Sequence, residues 1–225
     1  GVPYTYQGSI NIYKKVNLTS SGNVTINATS TLNPAVKVLS SGSGSTLQGF
    51  GITGATNNYG IELDLYHAAG GTTYILNNFL FNNKGGILLN DADGTVIMDN
   101  TISYRSGDGY GIRMVNSSSN KLSGNTIYGN STSNGGILLQ SGQNNLLENN
   151  HLVGISDEQG FGISVQDLWN TLLQNNITNF YNGISFEAIA SDDNPNLIDG
   201  SALNNYISNC NFGIRVTEAF DIIIM

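Results

Sequence analysis

The sequence predicts an all-β parallel solenoid, a rod of short strands stacked coil on coil. Three observations carry this. A Gly–Ile–x–apolar beat returns every 21 to 30 residues. A second beat, apolar–x–x–Asn–x–apolar, lies between its copies. No segment keeps a helical period of about 3.6 long enough to make a helix, whereas period-2 alternation over a few residues marks a strand.

The first beat reads GIEL, GILL, GIRM, GILL, GISV, GISF and GIRV, with its isoleucines at Ile61, Ile87, Ile112, Ile137, Ile163, Ile184 and Ile214. One such unit cannot bury its apolar face, but stacked units can. The isoleucines are therefore expected to form one interior column. Leu63, Leu89, Met114, Leu139, Val165, Phe186 and Val216 should form the next. The glycine before each Ile is expected to turn a sharp corner, with positive φ as one route. Uneven spacings should be absorbed in loops.

The second beat carries Asn78, Asn100, Asn125, Asn150, Asn175 and Asn205, with Phe50 in an earlier copy. An inward asparagine at a turn can bond the coils above and below, so these residues are expected to form a structural ladder. Ile102, Ile127, Leu152 and Ile177 belong to the wall opposite the glycine beat. Leu122 and Ile127 are read as steps on that same wall.

The organisation expected is lead-in coils over 1–35 and repeats over 36–225, seven to nine coils in all. The apolar ending "AFDIIIM" is read as the cut edge of something longer.

Composition narrows the function. Charged residues are 11% of the chain, against about a quarter in an average domain. The net charge is -8, which offers no basic footprint for nucleic acid. No apolar run is long enough to span a membrane. The single cysteine, Cys210, allows no internal disulfide and reads as a small, partly buried side chain.

The beats resemble the right-handed parallel β-helix class of the broad pectate-lyase-like superfamily. Within it they resemble repeats of periplasmic copper-site maturation proteins and archaeal surface proteins. The stretch "VKVLSSGSGSTLQGFGITGATNNYGIEL", 36–63, resembles adhesin-like cell-surface proteins of methanogenic archaea, and "INIYKKVNLTSSGNVTI" resembles their lead-in coils. The resemblance implies a non-catalytic, extracellular or cell-surface structural solenoid without a cofactor. Its partners would be other copies of itself or cell-envelope polysaccharide. The alternatives are a polysaccharide lyase or glycoside hydrolase of the same fold, a carbohydrate-binding or scaffold module, and a viral spike segment. This fold hosts all of these functions.

Function should sit where the repeat leaves residues free. Outward positions of the glycine-beat strands are Glu62, Asp64, Arg113, Gln140, Gln166, Glu187 and Arg215, candidate ligand contacts for sugar hydroxyls. A hydrolase needs two carboxylates flanking the bond. Glu62 and Asp64 face Leu88 and Asn90 on the next coil, so no acidic mate is in view. Glu187 and Arg215 are expected to form a surface pair. Asp91 and Asp93 in "NDADG" and the acids of "SDDNPNLID", 191–199, read as turn chemistry, with a cation contact as the minority reading. Tyr66, Tyr74, Tyr104, Tyr110, Tyr128, Phe161, Trp169 and Tyr181 fall near corners and loops, where rings can anchor loops or stack on sugars. His67 and His151 lack metal-ligand spacing. Candidate glycosylation sites are Asn17, Asn23, Asn27, Asn116, Asn130 and Asn176, a number that chance alone produces in so Asn- and Ser/Thr-rich a chain.

Overall fold

The computed structural model describes residues 3–66, 68, 70–105, 107–129, 133–155, 160–167, 169–187, 201–217 and 223–224. His67, Asn130 and the acids at 192–199 lie outside them.

Every strand pairing is parallel, and equivalent residues of successive coils stand side by side. Ile61 pairs with Ile87, Ile87 with Ile112, and so on to Ile184 with Ile214. Nine strands, from Ile10–Ile12 to Phe212–Thr217, make one sheet. Its inward residues from Val36 to Phe186 form the core and are at most 1% exposed. Val216 departs from expectation at 47% exposed, because no described strand stacks beyond Phe212–Thr217.

The opposite wall is a sixteen-stranded sheet that doubles back on itself. One arm runs through Tyr74–Leu76, Val96–Met98 and Lys121–Ser123. The other runs through Phe79–Asn83, Thr101–Tyr104 and Thr126–Tyr128. Both arms pair with Thr46–Thr53, which spans the two. Leu122 and Ile127 therefore sit on different ladders, separated by the bend at Asn125. Each coil has three faces, where the sequence suggested two walls.

The asparagine ladder is where the spacing placed it. Asn125 Oδ1 accepts the backbone N–H of Asn100 at 3.0 Å and its Nδ2–H at 3.0 Å. Asn125 in turn donates from Nδ2 to Ile97 O at 2.9 Å and to Asn150 Oδ1 at 3.0 Å. The pattern runs from Asn78 to Asn205 and satisfies backbone groups that the bend takes out of the β-ladder. The residue before each ladder asparagine takes the left-handed turn, as at Asn77, Asp99, Gly124, Asn149, Gln174 and Asn204. Mostly Asn, Asp or Gly stand here, the types that tolerate this region best.

The beat glycines have a different reason from the one expected. None of Gly60, Gly86, Gly111, Gly136, Gly162, Gly183 or Gly213 has positive φ. A Cβ on Gly111, Gly136, Gly162 or Gly183 would instead lie 2.5–2.7 Å from the carbonyl oxygen of the next coil's glycine. It would also press on an apolar side chain of the third face, such as Leu152 Cδ2 at 2.5 Å from Gly136. Close approach, not backbone twist, selects glycine.

A second polar column was not foreseen. Thr73, Thr95, Asn120, Asn145 and Asn170 are buried five residues ahead of the ladder asparagines. Asn145 Oδ1 accepts the N–H of Asn120 at 2.9 Å, and Asn170 Oδ1 accepts that of Asn145 at 3.0 Å. The signal was present: a polar residue two positions before each apolar start of the second beat.

Outside the core, Lys121 Nζ meets Glu148 Oε1 at 2.8 Å. The hydrogen bond from Lys121 holds the Glu148 carboxyl below its ordinary value, against the opposing effect of burial. A lowered folded value means that the pair stabilises the fold above the unfolded value of 4.5 and ceases to as pH falls through the lowered one. Glu148→Gln is expected to cost less than about 1 kcal/mol at neutral pH, as partly exposed pairs do. In urea titrations that difference should shrink once the pH falls below 4.5. An undiminished difference in acid would assign the cost to packing. Among the described residues, no helix is long and apolar enough to cross a membrane.

Candidate functional site

Parallel stacking lines equivalent residues of the nine-stranded sheet into columns. One column, two residues before the beat isoleucine, reads Tyr59, Gly85, Tyr110, Gly135, Phe161, Asn182 and Phe212. Aromatics recur every 51 residues, one on every second coil, with a small residue between. The rings lean over the gaps. A Cβ at Gly85 would meet the Tyr59 ring, and one at Gly135 the Phe161 ring. Tyr110 and Phe161 stack with centroids 5.9 Å apart. The rings thus cover bare glycine backbone, and Tyr59 is only 7% exposed. Burial pushes its hydroxyl up to about 12, partly offset by the nearby Arg113 charge.

The column between the two inward residues of each strand carries Asn11, Lys37, Glu62, Leu88, Arg113, Leu138, Ser164, Ser185 and Arg215. Here the predicted contacts separate into clusters. Lys37 Nζ lies 2.8 Å from Glu62 Oε1 and 3.1 Å from Asp64 Oδ2, so one ammonium holds both carboxylates. The hydrogen bond to Glu62 raises the Lys37 pKa, with Asp64 adding and burial opposing. Arg113 donates from Nη2 to Gln140 Oε1 at 2.8 Å, and its guanidinium lies 5.9 Å from the Tyr110 ring centroid. Gln166 donates to Glu187 Oε2 at 3.3 Å, and the Ser185 hydroxyl donates to Glu187 Oε1 at 3.0 Å.

Arg215 stands opposite Ser185, not Glu187, and no Glu187–Arg215 ion pair forms among the described residues. Stagger along the strand, two residues between the positions, takes Arg215 away. Leu138, Ser164 and Ser185, outward by register, are at most 4% exposed, so this part of the face is covered.

The cleft lies at the other end. Ser9, Asn11, Tyr13, Asn33, Pro34, Lys37, Leu39, Asn58 and Glu62 line a cavity of about 460 Å³. Its lining is amide, hydroxyl and one aromatic ring around the Lys37–Glu62 pair. The Ser9 hydroxyl is buried there with no hydrogen-bond partner. Sequence reasoning found Glu62 and Asp64 but missed Lys37, because its strand opens with Ala35 in place of the beat glycine.

The remaining candidates are plain. Asp91 occupies a left-handed turn and Asp93 accepts the N–H of Ser118 at 2.6 Å, which is turn chemistry. No group of three His, Cys, Asp or Glu is placed to hold a metal among the described residues. Cys210 is half-buried, its thiol pushed up by burial. Asn17, Asn23, Asn116 and Asn176 are exposed, and Asn27 is half-buried with its Nδ2 donating to Gln7 Oε1 at 3.0 Å.

A family model described as "Right handed beta helix region" matches residues 34–200. The chain belongs to this family. Solved structures resemble it along nearly its whole length. The periplasmic alginate epimerase AlgG matches with 16% identity and a TM-score of 0.50, over 97% of this chain and 61% of that one. A double mutant of that enzyme matches with 16% identity and a TM-score of 0.49, over 98% of this chain and 62% of that one. The chain thus spans about three fifths of those structures, and at this identity the likeness is one of fold. No curated protein matches the chain.

Proposed function

We propose that this β-helix is polysaccharide-active, holding a sugar chain at the cleft formed by Lys37, Glu62 and their neighbours. The observation that carries the reading is the cleft lining: Asn, Ser and Tyr side chains around one paired charge. Sugar hydroxyls donate and accept, and this lining offers both. The expected setting is extracellular or cell-surface. The fold's appearance in a periplasmic polysaccharide-modifying enzyme supports weighing this above a passive stalk or adhesin.

Within the reading, holding is better supported than cleavage. A retaining glycosidase needs two free carboxylates flanking the bond, and Glu62 and Asp64 share one ammonium. Lys37 occupies the space between them, where a glycosidic oxygen would have to sit. Hydrolysis therefore requires the sugar to displace Lys37. The test is affinity electrophoresis of the purified chain in gels carrying different soluble polysaccharides, with product analysis by chromatography. At least one polysaccharide should retard the wild type, and Lys37→Ala and Glu62→Gln should each weaken retardation about tenfold, the loss of a charge-assisted hydrogen bond. No retardation by any polysaccharide, or retardation indifferent to both substitutions, would sink the reading. Oligosaccharide products abolished by Glu62→Gln would establish cleavage.

A further inference from the structure

The third face of the rod, the arm through Phe79–Asn83, Thr101–Tyr104, Thr126–Tyr128 and their successors, has a character the cleft lacks. Its outward positions fall in two columns. One holds Phe79, Thr101, Thr126, His151, Asn176 and Tyr206; the other holds Phe81, Ser103, Tyr128, Val153, Thr178 and Ser208. None is Lys, Arg, Asp or Glu. Short strands in register make the face flat, and three exposed rings stand on it: Phe79 at 50%, Tyr128 at 45% and Tyr206 at 64%. Phe79 is stiffened by stacking on Phe81, centroids 5.0 Å apart.

Isolated exposed rings are ordinary, but rings gathered on one uncharged face mark an interaction surface. We propose that this face docks a flat, uncharged polysaccharide surface, separately from the cleft. The occupant follows from the chemistry. A charged partner would find no counter-charge in either column. Rings spread over the face suit the apolar faces of packed sugar rings, and Thr101, Thr126 and Asn176 between them supply hydroxyl and amide partners. A flat array of this length fits an ordered, insoluble glycan better than a single chain, which a cleft would enclose. The inference shares with the proposed function only the class of ligand, and it stands on different residues.

Asn176 begins a glycosylation motif on this face, so the test uses the full chain from a host that attaches no N-glycans. The chain is sedimented with microcrystalline cellulose, with crystalline chitin and with alginate beads as the anionic control. Binding to at least one uncharged solid is expected, and any binding to alginate should be kept in Tyr128→Ala. Tyr128→Ala and Phe79→Ala should each lower the partition coefficient about tenfold, the loss of one well-placed ring, with thermal melting unchanged because both side chains are exposed. Lys37→Ala should lower it less than either ring substitution does. Binding lost in Lys37→Ala but kept in Tyr128→Ala would overturn the inference and support the cleft alone. No binding to either solid, alginate binding that Tyr128→Ala removes, or a self-associated species in sedimentation velocity that Tyr128→Ala dissolves would also overturn it. The last result would make the face an interface between copies.

Discussion

Asn125→Ala is expected to destabilise the protein by about 3–5 kcal/mol, because each buried group left unpaired costs about 1–3 kcal/mol. The substitution removes the acceptor for the backbone N–H and the Nδ2–H of Asn100, and the donor to Ile97 O and to Asn150 Oδ1. All lie where water cannot substitute, since Asn100, Asn125 and Asn150 are at most 1% exposed. Urea denaturation followed by far-ultraviolet circular dichroism reads the loss. Asn176→Ala is the control. It lies two coils further on, in Asn176–Thr178, with its side chain outward, and its effect should stay within about 0.5 kcal/mol. Equal effects from the two would show that the ladder adds nothing beyond a polar turn.

Gly136→Ala should be nearly as damaging, at about 3 kcal/mol, the upper part of the range for overpacking, because one obstruction is backbone that cannot rotate away. The added methyl would sit 2.6 Å from Gly162 O and 2.5 Å from Leu152 Cδ2. At Gly213, the same position in the last described rung, an added methyl would meet nothing within 4 Å, so Gly213→Ala should change stability by less than about 0.5 kcal/mol. Gly94 has φ of 63° and open space around it, and Gly94→Ala should cost about 1 kcal/mol through backbone strain alone. The three substitutions separate crowding from twist. If Gly136→Ala and Gly213→Ala cost the same, the close-approach explanation fails.

The fold was legible because a parallel solenoid writes its register into the sequence. Ile61, Ile87 and Ile112 stand in one column in the chain's spacing and in space, and the ladder asparagines do likewise. Features whose column mixes chemistries were harder to read. Thr73, Thr95 and Asn120 stand in one column with two residue types, so no single repeated residue marks it. The Tyr59–Tyr110–Phe161–Phe212 series repeats only every second coil, and a search at one coil misses it. Beat glycines look the same in sequence whether they answer a twist or a close approach. The site was less legible still. Glu62 and Asp64 were identified as outward carboxylates, but the residue that joins them, Lys37, belongs to a strand whose alanine hides the beat. Which outward residues are reachable depends on what covers them, as Leu138, Ser164 and Ser185 show, and no local pattern reports that.

The most direct test of the account is a crystal structure of the chain with a bound oligosaccharide taken from whichever polysaccharide retards it. The account predicts sugar density in the cleft, with ring hydroxyls in hydrogen-bond contact with Lys37 and Glu62. Density for a tightly bound oligosaccharide elsewhere on the rod, with that cleft empty, would contradict it.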